Sequence, residues 1–212
     1  MPKQSLTAEE VKSMLLCVAD QIIASEPQLS EADRNLGDGD HGLGMARGFT
    51  AVKEKLAGMS GADGVDKLFT SAGMAMISSM GGASGALFGT LFRDGGKALA
   101  GATELTSAGM AVFLRGACDG VMARGKAKPG DKTMIDALHP ATEAAQALTA
   151  EPLFTALPGI AAAGEAGREA SKALIATLGR AKTLGPASIG HPDAGACSIA
   201  IILRTMSDFA AA

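Results

Sequence analysis

Apolar residues in the first part of the chain recur at helical spacing: Val11, Met14, Leu15, Val18 and Ile22 share one stripe. Thr7 can cap that helix, and Glu10, three residues on, completes a capping box. Pro27 is expected to end it. The same spacing returns from Leu43 to about Leu56, Val65 to Ser78, Gly85 to Ala100, Thr106 to Ala123, Thr133 to Leu148, Glu151 to about Arg180, and Gly195 to Phe209, which makes eight helices. Pro140 and Pro158 are expected to kink or break the helices that contain them. Alternating β-branched runs are missing and Ala, Leu and Met dominate, so strands are not expected. No composition shift, linker or fixed-period repeat divides the chain. The pattern therefore predicts one all-α domain over residues 1–212. In an up-and-down arrangement every second loop lies at the same end, so the loops near residues 38, 82, 130 and 193 are expected at one rim.

Composition narrows the function. The 212 residues are 47% hydrophobic and 19% charged, which fits a globular domain rather than a disordered chain. Trp and Tyr are both absent and Phe numbers 7, so aromatic platforms of the kind that hold single-stranded nucleic acid are nearly absent. Nineteen basic and 22 acidic residues give a net charge of -3, so neither a nucleic-acid partner nor an anionic membrane is expected. The cysteines, Cys17, Cys118 and Cys197, are far apart and form no Cys-x-x-Cys pair, which argues against zinc and disulfides and for a reducing compartment. The run from Met14 to Ile23 is broken by Asp20. No signal peptide or membrane span is expected, and the expected location is cytoplasmic.

Candidate chemistry lies in the loops. Asp33, Asp38 and Asp40 fall within eight positions, interleaved with Gly37, Gly39 and Gly42. On a helix Asp38 and Asp40 would point about 200° apart. The glycines instead permit an irregular turn that aims all three carboxylates inward. At roughly 4 Å and an effective dielectric near 20, each like-charged pair repels by about 4 kcal/mol, so convergence needs a cation or a shared proton. Oxygen donors favour Mg²⁺, Mn²⁺ or Ca²⁺. A solvated turn is the competing reading, and an EF-hand fails because Phe49 stands where its bidentate Glu is required. His41 is either structural or turned to the same ligand.

Three more loops carry signals. Ser78 to Gly85 is a run of small residues ahead of a helix, either an anion cradle or a close interhelical turn. Arg124, Lys126, Lys128 and Lys132 surround one loop, as a phosphate site or as solvated cations near a helix C-terminus. Asp193 is placed to cap the last helix.

Taken together and in order, Gly37-Asp38-Gly39-Asp40-His41-Gly42, Gly81-Gly82-Ala83-Ser84-Gly85, Arg124-Gly125-Lys126 with Pro129-Gly130-Asp131-Lys132-Thr133-Met134, and His191-Pro192-Asp193-Ala194-Gly195-Ala196 resemble the nucleotide-binding L subunit of dihydroxyacetone kinase. The resemblance covers nearly the whole chain. It implies an eight-helix antiparallel up-and-down barrel whose loops at one end hold ADP or ATP through two Mg²⁺ ions. It further implies that Asp33, Asp38 and Asp40 are metal ligands and that His41, Gly42, Leu43 and Gly44 contact the nucleotide. Ala83 and Ser84 would lie at the phosphates, Gly125 and Met134 at the adenine, and Arg180, Asp193, Ala194 and Gly195 would complete the nucleotide contacts.

In that family the sugar sits on a separate K subunit, and in one form an M-type protein of the phosphotransferase system rephosphorylates the bound nucleotide. The chain departs from the family at Ala194, where proline is usual, and in the stretch Arg180 to Ser188, which lacks the family's aromatic and second charged residue. No residue pattern singles out a catalytic base. The competing readings are an L subunit acting on a related short keto sugar such as a tetrulose, and a non-catalytic regulator that senses nucleotide. The fatty-acid kinase nucleotide domain, a more distant relative, normally carries Thr where this chain has His41.

Overall fold

The computed structural model describes all 212 residues. Nine α-helices form: α1 (Ala8–Ala24), α2 (Glu26–Arg34), α3 (His41–Ala57), α4 (Val65–Ser79), α5 (Gly82–Ala98), α6 (Ser107–Gly125), α7 (Ile135–Ala147), α8 (Leu153–Ala170) and α9 (Ala194–Ala211). The eight long ones close a ring in which each packs on its chain neighbour and α9 returns to α1. The short α2 packs against α3 and α9. The result is the expected antiparallel barrel, filled by apolar stripes from every helix. Five phenylalanines mark its centre, with the Phe69 and Phe113 rings 4.4 Å apart.

The Thr7–Glu10 capping box forms as the spacing predicts. Four expectations need correction. Pro27 does not simply end a helix: α1 stops at Ala24, and Pro27 occupies the first turn of α2, where a missing N–H costs nothing. Leu6–Thr7 and Glu104–Leu105 pair as a minimal antiparallel ribbon, β1 and β2, although no strand was expected. Of the two outcomes expected at Pro140 and Pro158, a break does not occur: α7 and α8 run through both prolines. Pro140 deprives the Asp136 carbonyl of its usual helical donor, and Gly167 of α8 packs there so closely that a Cβ would lie 2.1 Å from that oxygen.

The fourth correction matters most for the site. The segment expected to continue as helix to Arg180 leaves α8 at Ala170 and becomes a strap over residues 171–193, with 3₁₀ turns at Ser171–Ala173 and Arg180–Ser188. Gly179 (φ 66°) and Gly185 (φ 53°) adopt left-handed conformations that an α-helix cannot contain. Ser188 Oγ accepts from the Ala176 N–H and Asp131 O accepts from the Thr177 N–H, giving strap amides partners outside a helix.

The N-terminal segment marks the opposite rim, where Lys3 and Gln4 carbonyls accept from Phe154 and Leu153 and the Lys3 N–H donates to Ala210 O. By length and composition α9 could cross a membrane, but most of its residues are buried in the barrel wall.

Candidate functional site

The α2–α3, α4–α5 and α6–α7 connections and the strap meet at one rim, as the alternation of loops predicts. Asp33 lies in the last turn of α2, half-buried, while Asp38 and Asp40 are exposed on the following loop. One carboxylate oxygen from each lies within 4.8 Å of the others. Gly39 turns the chain between the two exposed aspartates at φ 79°. Asp33 Oδ2 also accepts from the His41 N–H at 3.2 Å, tying the cluster to the start of α3. Close packing holds α2 in place: a Cβ on Gly42 would lie 2.3 Å from the Glu26 carbonyl and 2.4 Å from Ser30 Oγ.

Three carboxylates this close require positive charge. Arg180 supplies some of it from the strap, pairing with Asp38 and lying 3.6 Å from Asp40. The donor set is all carboxylate oxygen and accessible, which fits a hard divalent cation such as Mg²⁺ and not the nitrogen and sulfur preference of zinc.

His41 sits behind the cluster and is 7% exposed. Its Nε2 lies 2.8 Å from Ser198 Oγ on α9, and its Nδ1 lies 3.3 Å from Ser84 Oγ in the first turn of α5. Burial lowers the imidazole pKa, with Asp33 acting in the opposite direction. Gly44 faces open space and Leu43 is exposed, whereas Gly42 is packed. At the α4–α5 turn Gly81 and Gly82 also face open space, and Ala83 and Ser84 follow in the first turn of α5, where amide N–H groups lack helical partners.

On the other side of the rim Gly125 ends α6 and Met134 precedes α7, almost fully buried. Gly195 lets α9 approach this loop, since its Cβ would stand 3.0 Å from Met134 Cβ. Asp193 caps α9, accepting from the Ala196 N–H at 2.8 Å, as its place in the sequence predicts. Burial pushes its carboxyl up to about 7, with Asp136 adding to the shift and Lys132 opposing it. Ala194 opens α9, and its carbonyl accepts from Ser198 Oγ.

The loop cations divide. Arg124, Lys126 and Lys128 are exposed. Lys132 is neither a solvated lysine nor open to a phosphate: it is 2% exposed, and its Nζ donates to the carbonyls of Ser171 (2.6 Å) and His191 (2.7 Å). Asp136 braces the same loop by accepting from the Gly130 and Thr133 amides. Asp131 accepts from Thr177 Oγ1 and from the Lys128 N–H, and these bonds hold its carboxyl below the usual range.

Sequence reasoning did not single out Ser198 or Thr177, and it grouped Lys132 with Arg124, Lys126 and Lys128 as a phosphate site or solvated charge. A serine inside the apolar run of α9 was a usable signal. Nothing in the sequence distinguishes Lys132 from its solvated neighbours.

The fold and rim define a closed all-α barrel with an acidic, glycine-lined mouth. The chain belongs to the DAK2 domain family, whose model matches residues 35–208. It is 36% identical over 205 residues to the ADP-binding subunit of the PEP-dependent dihydroxyacetone kinase of Escherichia coli (strain K12), covering 96% of this chain and 97% of that protein. It is 38% identical over 187 residues to the ADP-binding subunit of PEP-dependent dihydroxyacetone kinase 1 of Listeria innocua, covering 88% of this chain and 89% of that protein. A D-erythrulose kinase of Mycolicibacterium smegmatis is 37% identical over 195 residues; these are 90% of this chain but 33% of that enzyme.

Among solved structures the dihydroxyacetone kinase of C. freundii in complex with AMP-PNP and Mg²⁺ superposes with a TM-score of 0.72 at 25% identity. The match covers 93% of this chain and 33% of that one.

Proposed function

We propose that this chain is the ADP- and Mg²⁺-binding phosphoryl-transfer subunit of a dihydroxyacetone kinase, acting on dihydroxyacetone held by a separate K subunit. The observation that carries this reading is the convergence of Asp33, Asp38 and Asp40 beside the open glycine turn that begins α5. Relatives that match nearly end to end and are named ADP-binding subunits support it.

In this reading Asp33, Asp38 and Asp40 hold two Mg²⁺ ions. Divalent ions there would neutralise phosphate charge, which is most of what phosphoryl transfer requires of a protein. The amides at Ala83 and Ser84 meet phosphate oxygens at the positive end of α5. His41 is turned toward Ser84 and Ser198 by its two hydrogen bonds, so it orients the phosphate turn rather than moving a proton. Leu43 and Gly44 border the nucleotide, Gly125 and Met134 flank the adenine, and Asp193, Ala194 and Gly195 close over it from the start of α9. Arg180 approaches the terminal phosphate from the strap.

An M-type protein of the phosphotransferase system is the partner to test for rephosphorylation of bound ADP. The L-subunit role for a tetrulose kinase is the second reading, favoured by the 37% identity to a D-erythrulose kinase. The sugar is selected on the K subunit in either case.

Mass spectrometry of the purified chain for retained ADP, followed by turnover assays with K subunits for dihydroxyacetone and for erythrulose, tests both readings. Phosphorylation is expected only when a K subunit is present. Efficient phosphorylation of free dihydroxyacetone by this chain alone would overturn the two-subunit reading.

A further inference from the structure

The strap is fastened to the barrel chiefly by two consecutive residues of the α6–α7 loop. Asp131 holds its middle, accepting from Thr177 Oγ1 at 2.7 Å and, through its carbonyl, from the Thr177 N–H at 3.2 Å. Lys132 holds both ends, donating to Ser171 O and His191 O. In a regular extended run successive side chains point to opposite faces. Lys132 instead has φ 59°, in the left-handed region that a residue with a Cβ rarely enters, and so both it and Asp131 engage the strap. An ammonium 2% exposed, facing carbonyls rather than a carboxylate partner, bears a desolvation cost, and burial lowers its pKa. A group kept in that setting serves the geometry it enforces.

That geometry ends at Arg180. Thr177 stands three residues before it, and the Gly190 N–H bonds back to Lys172 O, so the strap is closed at its base before its tip crosses the rim. The tip then lays the guanidinium on Asp38 and beside Asp40. Arg180 is otherwise an exposed residue on a 3₁₀ turn bounded by glycines, and little else aims it.

We propose that Lys132 is a positioning residue for Arg180: by clamping Ser171 and His191 it closes the strap and holds the guanidinium over the aspartate loop. The effect on nucleotide rests on the function proposed above; the effect on the strap does not.

A double-mutant cycle with Lys132→Met and Arg180→Gln tests it. Without nucleotide, Lys132→Met should raise amide hydrogen exchange across residues 172–190 by about tenfold while the barrel helices keep their protection. With Mg²⁺ and a fluorescent ADP analogue, each single variant should speed release by roughly fivefold to tenfold. In the Arg180→Gln background Lys132→Met should add less than about twofold. A general loss of packing would multiply through the cycle instead, and multiplied effects, or unchanged strap exchange, would overturn the proposal. Should Lys132→Met fail to fold, Thr177→Val removes the neighbouring tie at an exposed position, and the same cycle decides. If the wild-type chain binds no analogue, the proposed function fails, while the exchange measurement still decides whether Lys132 closes the strap.

Discussion

His41 Nε2 lies 2.8 Å from Ser198 Oγ, so the residue that follows the last aspartate of the carboxylate loop is joined to the wall helix that begins at Asp193 and Ala194. Ser198 Oγ is also within reach of the Ala194 carbonyl, which can only accept. A hydroxyl that donates to Ala194 must accept from His41, so Nε2 carries the imidazole proton and Nδ1 is left to accept from Ser84. One ring thus couples the carboxylate loop, the α4–α5 turn and the loop proposed to close over the nucleotide.

Metal and nucleotide are therefore expected to bind together. The carboxylates and the nucleotide phosphates repel one another unless divalent ions bridge them. Asp38→Asn or Asp40→Asn should weaken ADP binding by at least about tenfold, roughly 1.4 kcal/mol, with helix content unchanged. Calorimetry with and without Mg²⁺ measures this. Equal ADP affinity in excess chelator would remove the bridging role.

Ala194→Pro should slow nucleotide release. Asp193 already has φ -63° and ψ 134°, the extended conformation that a residue before proline prefers, and Ala194 is the first residue of α9, where proline fits. Proline there limits open-loop states by about 0.4 to 1 kcal/mol, which corresponds to a few-fold in off-rate. Stopped-flow displacement of a fluorescent ADP analogue at saturating Mg²⁺ reads it out. An unchanged rate in a folded variant would mean that this loop does not gate exchange.

Asp193 also sets a pH dependence. Its carboxyl, raised by burial to about 7, keeps a proton in the folded chain that it loses near 3.8 when unfolded. The folded state therefore binds more protons between those values, and this group's contribution to stability is fully present below about 4 and declines as pH rises toward 7. Asp193→Asn keeps an N-cap while removing the titration. The variant's urea midpoint should fall less than the wild type's between pH 4 and 7; parallel profiles would show that the carboxyl titrates normally.

Gly42→Ala should distort the aspartate loop from behind. The added Cβ would meet the Glu26 carbonyl and Ser30 Oγ, displacing α2 and with it Asp33, at a cost of about 1–3 kcal/mol. Thermal unfolding should shift down and Mg²⁺-dependent ADP binding should weaken. Gly44→Ala, which meets no atom, is the control for the unfolding measurement alone, and should leave stability unchanged or slightly raised.

The eight long helices were legible in the sequence because their apolar stripes have a period set by local geometry, and their caps at Thr7 and Asp193 are local hydrogen bonds. The alternation of loops was enough to place four motifs at one rim, and the close spacing of Asp33, Asp38 and Asp40 marked a charge cluster. The strap was not legible. Its residues read as a continuation of α8, and what turns them aside is distant in sequence: Thr177 on Asp131 and the carbonyls of Ser171 and His191 on Lys132. Lys132 itself has the sequence context of a solvated loop lysine, and only a buried site between two segments gives its ammonium partners. Periodicity and capping act over a few residues and are written in the chain. The pairing of Arg180 with the aspartates, of His41 with Ser198 and of Lys132 with the strap depends on hydrogen bonds and burial that exist only once the barrel has closed.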